Sequence, residues 1–158
     1  MQQELSREKS VIYINFQNLV ALSEIINNKR LEKIKVKKKT KTIAADNLNE
    51  LVVSLIQDKK GNNIVSLDLR KIPEAITDYF VICHAESTIQ VRAILDHLEE
   101  EVRKQTLMKP FHLEGRSNGE WCLIDFGDVI VHVFQREKRE FYQLEDLWSD
   151  AIAQHYAD

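Results

Sequence analysis

Residues 121–134 read WCLIDFGDVIVHVF, and the way this stretch folds decides the sheet. Two apolar runs, 121–126 and 129–134, meet at Gly127, which predicts two strands joined by a tight turn. The turn carries two carboxylates, Asp125 and Asp128. Either they form a catalytic or metal-binding pair, or they mark a surface that another macromolecule reads.

Spacing argues against the first reading. Carboxylates that share a cation on a strand sit at i and i+2, on one face, whereas this pair straddles a turn. Phosphoryl transfer would also need a glycine-rich cradle for the phosphates, yet the chain has four glycines and no G-x-x-x-x-G-K-[ST] run. His132 shares a strand face with Ile130 and Phe134, with no Cys, Ser or second His at ligand spacing, and reads as a hydrogen-bonded sheet residue. Cys83 and His84 are strand neighbours, so they point to opposite faces and make no nucleophile-base pair. No catalytic residue, metal or cofactor is expected. Trp121, at a strand start beside the polar RSNGE turn, and Phe126, at the bend, are large aromatics flanked by acids. They either anchor a basic partner or plug the core, and the residues alone leave both readings open.

Working outward, the run YFVICHA (79–85) is apolar on both faces and predicts a central strand. Upstream, NNIVSLDLRKI alternates Ile64, Ser66 and Asp68 against Val65, Leu67 and Leu69, as a half-buried strand closed by Pro73 would. Before it, Leu48, Leu51, Val52, Leu55 and Ile56 make the apolar stripe of a helix. Thr42 is its candidate cap, with Lys59 and Lys60 in the last turn and Gly61 just beyond. Ser87 and Gln90 predict a capping box, followed by the stripe Val91, Ile94, Leu95, Leu98 and Val102. Pro110 follows that helix and FHLEG predicts a short strand. A last helix from near Glu137 would carry Phe141, Leu144, Trp148 and Ile152 on one side. The expected order is α-β-β-α-β-β-β-α: one mixed sheet of about five strands covered by helices, of the α/β or α+β class.

The charge is unevenly distributed. Residues 1–42 carry 10 Lys/Arg against 4 Asp/Glu, and residues 43–158 carry 12 against 21. The first 41 residues, ending in KRLEKIKVKKKTKT, read as a basic extension, either a solvated linker or a weak contact to RNA phosphate, ribosomal or other. No methionine falls between Met1 and Met108, which makes a native start near Val36 a candidate. The acidic body, from residue 42 onward, suits a basic protein partner better than nucleic acid. Two cysteines lie inside apolar runs, as buried thiols of a reducing compartment do, and no stretch resembles a membrane span, so the cytoplasm is expected.

Three blocks, TDYFVICHAESTIQVRAI, LEG with GEWCLIDFGDVIVHVF, and REFYQLEDLW, together resemble the ribosomal silencing factor family, also called Iojap-like proteins. The likeness runs from about Thr42 to Ala151. It implies a nucleotidyltransferase-like fold without the catalytic apparatus, and no enzymatic activity. It further implies binding to large-subunit protein fourteen on the intersubunit face of the large ribosomal subunit, obstructing joining of the small subunit and repressing translation when nutrients are scarce. A role in large-subunit assembly and a homodimer also come with the resemblance. On this reading Trp121, Asp125, Phe126, Gly127 and Asp128 make the partner-binding surface, and Tyr142 reaches the same rim from the last helix.

Overall fold

The computed structural model describes residues 43–73 and 75–157. The basic extension and the expected Thr42 cap lie outside the described residues.

The doubly apolar run becomes strand β2 (Tyr79–Ala85), buried at every position. It lies at the centre because both of its edges are taken, by β1 (Asn62–Asp68) antiparallel and by β5 (Val129–Gln135) parallel. Strands β4 (Trp121–Asp125) and β5 form the expected hairpin, and the short β3 (His112–Glu114) pairs with β4. A sixth strand, β6 (Ile152–His155), adds to the free edge of β1 and completes the order β3-β4-β5-β2-β1-β6. Among the described residues the result is a single mixed sheet of the α+β class with six strands rather than about five.

Helices α1 (Ala45–Asp58) and α2 (Thr88–Thr106) cover one face. The stripe of α2 is buried as its spacing predicts: Val91, Ile94, Leu95, Leu98 and Val102 are all fully inside, each stabilising the fold by roughly 1.5–3 kcal/mol. Ser87 caps the helix, its hydroxyl oxygen accepting the Gln90 N–H at 3.2 Å. On α1 the expected stripe is buried except for Leu51, which stays half-exposed. Asn49 is buried as well, and its Oδ1 accepts the Ser66 hydroxyl of β1 at 2.7 Å, which satisfies both polar groups. The residue after α1 that turns left-handed is Lys60 (φ 55°), not Gly61. Gly61 is required for a different reason: a Cβ there would stand 2.3 Å from Ile56 Cγ2.

Strand β1 is buried on both faces from Ile64 to Leu67, not half-buried, because β2 and β6 flank it and side chains cover it from both sides. The last helix also departs from expectation. Gln143 adopts φ 45° and divides it into α3 (Arg136–Tyr142) and α4 (Leu144–Leu147), after which Ile152 starts β6. The supposed stripe therefore splits: Leu144 is buried and Trp148 packs edge-on against Phe80 at 5.3 Å, while Phe141 and Ile152 are 44% and 57% exposed. Pairing the open edge of β1 outweighs a helical period of only four apolar positions.

Candidate functional site

The side chains of β4 alternate, so Cys122 and Ile124 face the α1/α2 layer while Trp121, Leu123 and Asp125 face the other side. Continuing the same parity carries Phe126 inward with Cys122 and Ile124. It joins the helix-side core at 1% exposure, which corrects the expectation of a ring near solvent at the bend.

The turn that follows is held by hydrogen bonds. Asp125 is 2% exposed, and its Oδ1 accepts the Gly127 N–H at 2.7 Å. Its carbonyl accepts the Phe111 N–H at 2.7 Å. Phe126 N–H donates to the Val129 carbonyl at 3.0 Å and closes the turn. Gly127 sits at φ 96°, and a Cβ there would meet Phe111 Cε2 at 2.7 Å, so conformation and close approach both demand glycine. The Thr77 hydroxyl donates to the Gly127 carbonyl at 3.0 Å, and the Asp128 carbonyl accepts from Asp78 and Tyr79 N–H at 3.1 and 3.0 Å. The turn is thus fastened to the start of β2. Of the four residues, Gly127 and Asp128 are half-exposed and Asp125 and Phe126 are inside. Among the described residues no group of three or more His, Cys, Asp or Glu side chains converges as metal ligands would.

The other end of the hairpin is aromatic. Trp121, opposite Phe134 in the strand register, is half-buried and stacks on that ring with centroids 4.8 Å apart and planes at 23°. Tyr142 of α3 lies 4.9 Å from the indole, and Phe141 meets Tyr142 edge-on at 5.1 Å. The indole Nε1–H donates to His132 Nδ1 at 3.2 Å. His132 is buried, and burial lowers its pKa from 6.5 to about 3, so the imidazole is neutral. Phe80 packs edge-on against it at 4.9 Å. Indole, imidazole, Phe80 and Trp148 form a chain of ring contacts across β4, β5 and β2 to the residue after α4.

The structure therefore separates residues that the sequence grouped. Trp121 and Tyr142 come together, and Asp125 to Asp128 form the opposite end, four residues or about 13 Å along the strand. Both ends fit beneath one protein partner, since a standard interface covers about 800 Å² on each side.

Sequence reasoning missed Arg139. Its Nε and Nη2 bond Glu145 Oε1 at 2.8 and 2.6 Å, and its Nη1 donates to the Asn63 carbonyl at 2.7 Å and lies 3.1 Å from His84 Nδ1. The side chain is 11% exposed and ties α3 to α4, β1 and β2 beside a groove of about 570 Å³ floored by Val65, Leu67 and Trp148. An Arg and a Glu six apart across a helix break match no helical pair spacing, so the sequence carried no signal for the clamp. The thiols of Cys83 and Cys122 are buried, and burial pushes them up to about 12 and about 11, which makes them poor nucleophiles.

Comparison with known proteins follows the same residues. Residues 42–158 match the model of the family described as "Ribosomal silencing factor during starvation". The chain is 42% identical over 104 residues to the ribosomal silencing factor of Halalkalibacterium halodurans, covering 66% of this chain and 87% of that protein. It is 31% identical over 120 residues to the mouse protein named mitochondrial assembly of ribosomal large subunit protein 1, covering 69% of this chain and 50% of that one. A crystal structure of a Chromobacterium violaceum protein superposes with a TM-score of 0.64 at 28% identity, covering 68% of this chain and 88% of that one.

Proposed function

This chain belongs to the ribosomal silencing factor family, and from that premise we propose that it silences translation by occupying the large ribosomal subunit, at large-subunit protein fourteen, so that the small subunit cannot join. The observation that carries the reading is the family match across the whole of residues 42–158, which includes the sheet and both ends of the β4–β5 hairpin. A bound body of this size acts by bulk, so the mechanism needs affinity and no bond making. The chemistry of the surface is consistent with that role. Residues 43–158 carry 21 acidic against 12 basic side chains, which favours a basic ribosomal protein.

In this reading Trp121 and Tyr142 are the apolar anchor and Asp128 an acidic rim contact, while Asp125, Phe126 and Gly127 hold the turn in shape for it. Rim charges set approach and salt dependence, whereas a partly desolvated aromatic supplies most of the affinity. The basic extension, residues 1–41, adds at most a weak contact to ribosomal RNA, and the protein acts in the cytoplasm with no cofactor. Among the described residues no helix is long and apolar enough to cross a membrane.

A second reading, assistance of large-subunit assembly through the same contact, is favoured by the name of the mouse relative. Sucrose-gradient sedimentation of the tagged chain in lysates from starved and growing cells separates the two. Silencing places it on mature large subunits and lowers the joined fraction when purified chain is added to both subunits. Assembly places it on precursor particles with joining unaffected. A pull-down that recovers no large-subunit protein under either condition removes both.

A further inference from the structure

We propose that His132 is a positioning residue that holds the Trp121 indole in its partner-binding orientation through the 3.2 Å hydrogen bond between indole Nε1 and imidazole Nδ1. The inference rests on the reading of Trp121 as a partner contact and deepens it, because it moves part of the recognition into the sheet interior.

An indole nitrogen can only donate, so the imidazole nitrogen facing it must be the bare one and the ring proton must sit on Nε2. That Nε2 is buried and has no hydrogen-bond partner among the described residues. A side chain present only to fill this space would be better apolar, since a buried N–H without an acceptor is a standing cost. The surroundings are apolar throughout: Leu123 is the register partner across β4, Ile82 the partner across β2, Phe80 packs edge-on, and Phe134 lies nearly parallel at 6.3 Å. What histidine adds here, and no aliphatic residue can, is an acceptor aimed at Trp121. Burial also keeps the ring neutral across the physiological range, so the acceptor is always present.

Without the acceptor, the half-buried indole must turn its N–H toward water to satisfy it. Turning the ring breaks the stack on Phe134 and the contact with Tyr142, and the apolar face offered to a partner changes shape. The cost to binding then comes from re-ordering the ring at each encounter.

The chain has two tryptophans, Trp121 and Trp148, so an indole N–H spectrum contains one reporter and one internal control. In the full chain, His132→Leu removes the acceptor at similar volume, His132→Phe does so with a ring, and His132→Asn restores an acceptor near the Nδ1 position. The apolar variants should move the Trp121 indole resonance and speed its solvent exchange at least tenfold, with the solvent exchange of Trp148 unchanged. Affinity for purified large ribosomal subunits should fall about tenfold in the same variants, and Asn should recover both readouts. The proposal is overturned if the Trp121 signal is unmoved in both apolar variants. It is equally overturned if the indole is released while affinity holds and Trp121→Ala still lowers it. If Trp121→Ala itself binds like the parent, the surface reading has failed and this inference falls with it.

Discussion

The two ends of the β4–β5 hairpin are built from opposite materials. At the turn, Asp125 and Gly127 work through backbone hydrogen bonds, and Phe126, the large side chain, points into the helix-side core. At the open end the backbone is ordinary ladder, and rings do the work: Trp121 on Phe134, Tyr142 alongside, His132 beneath. Two stretches that look equally distinctive in sequence are thus under different constraints. The turn is fixed by what the fold needs, and the open end retains ring surface beyond what the fold uses.

The strongest way to break this contrast is Phe126→Ala. A core ring predicts a loss of about 3–5 kcal/mol in urea denaturation, with the remaining folded protein still binding large subunits. A stable Phe126→Ala that no longer binds would return the ring to the surface.

Acid offers a test at the other end. The folded pKa of His132 lies near 3, below the 6.5 of an unfolded chain. Between those values the unfolded state binds the extra proton, so stability is complete above pH 6.5 and is lost as pH falls toward 3. The loss is roughly 5 kcal/mol across that window. The denaturant midpoint of the parent should fall steadily relative to that of His132→Leu from pH 7 to pH 4. Parallel curves would mean that the imidazole already meets water.

Trp121→Ala should weaken large-subunit binding by about 2 kcal/mol, measured by equilibrium sedimentation, with the secondary structure retained by circular dichroism. Asp128→Arg should have the smallest effect: about 1.4 kcal/mol of affinity, a tenfold change that added salt diminishes, against less than about 1 kcal/mol of folding stability. Full affinity for Asp128→Arg at low salt would confine recognition to the aromatic end.

The elements easiest to read were those whose pattern left one solution. YFVICHA is apolar at both parities, which only a central strand tolerates, and Ser87 with the stripe from Val91 to Val102 stated both a start and a face. Phe126 was legible too, because Cys122, Ile124 and Phe126 share a parity, but its place beside a glycine suggested exposure more strongly than the parity suggested burial. The sequence after Tyr142 was not legible. Leu144 and Trp148 fit a helical period by accident of spacing, and the break at Gln143 involves no glycine or proline. Strand β6 has no apolar alternation of its own, since all four residues are exposed, and it exists because β1 has hydrogen-bonding groups to satisfy. The separation of Trp121 from the acidic turn followed once both strands were in register, a distance that proximity along the chain conceals.

Strand β6 also imposes a timetable. Its partners are Val65 with His155 and Asp68 with Ile152, so one of the earliest strands to be synthesised waits for one of the last. While the nascent chain is still being translated, β1 can pair with β2, but its outer edge stays open to any other strand until residue 155 has emerged. A ribosome that stalls after Tyr142 would release a chain with its helical layer and five strands in place and a sticky margin along β1. For this chain, the interval between making Asp68 and making His155 is the time in which a neighbouring nascent chain can take the place of its own last strand.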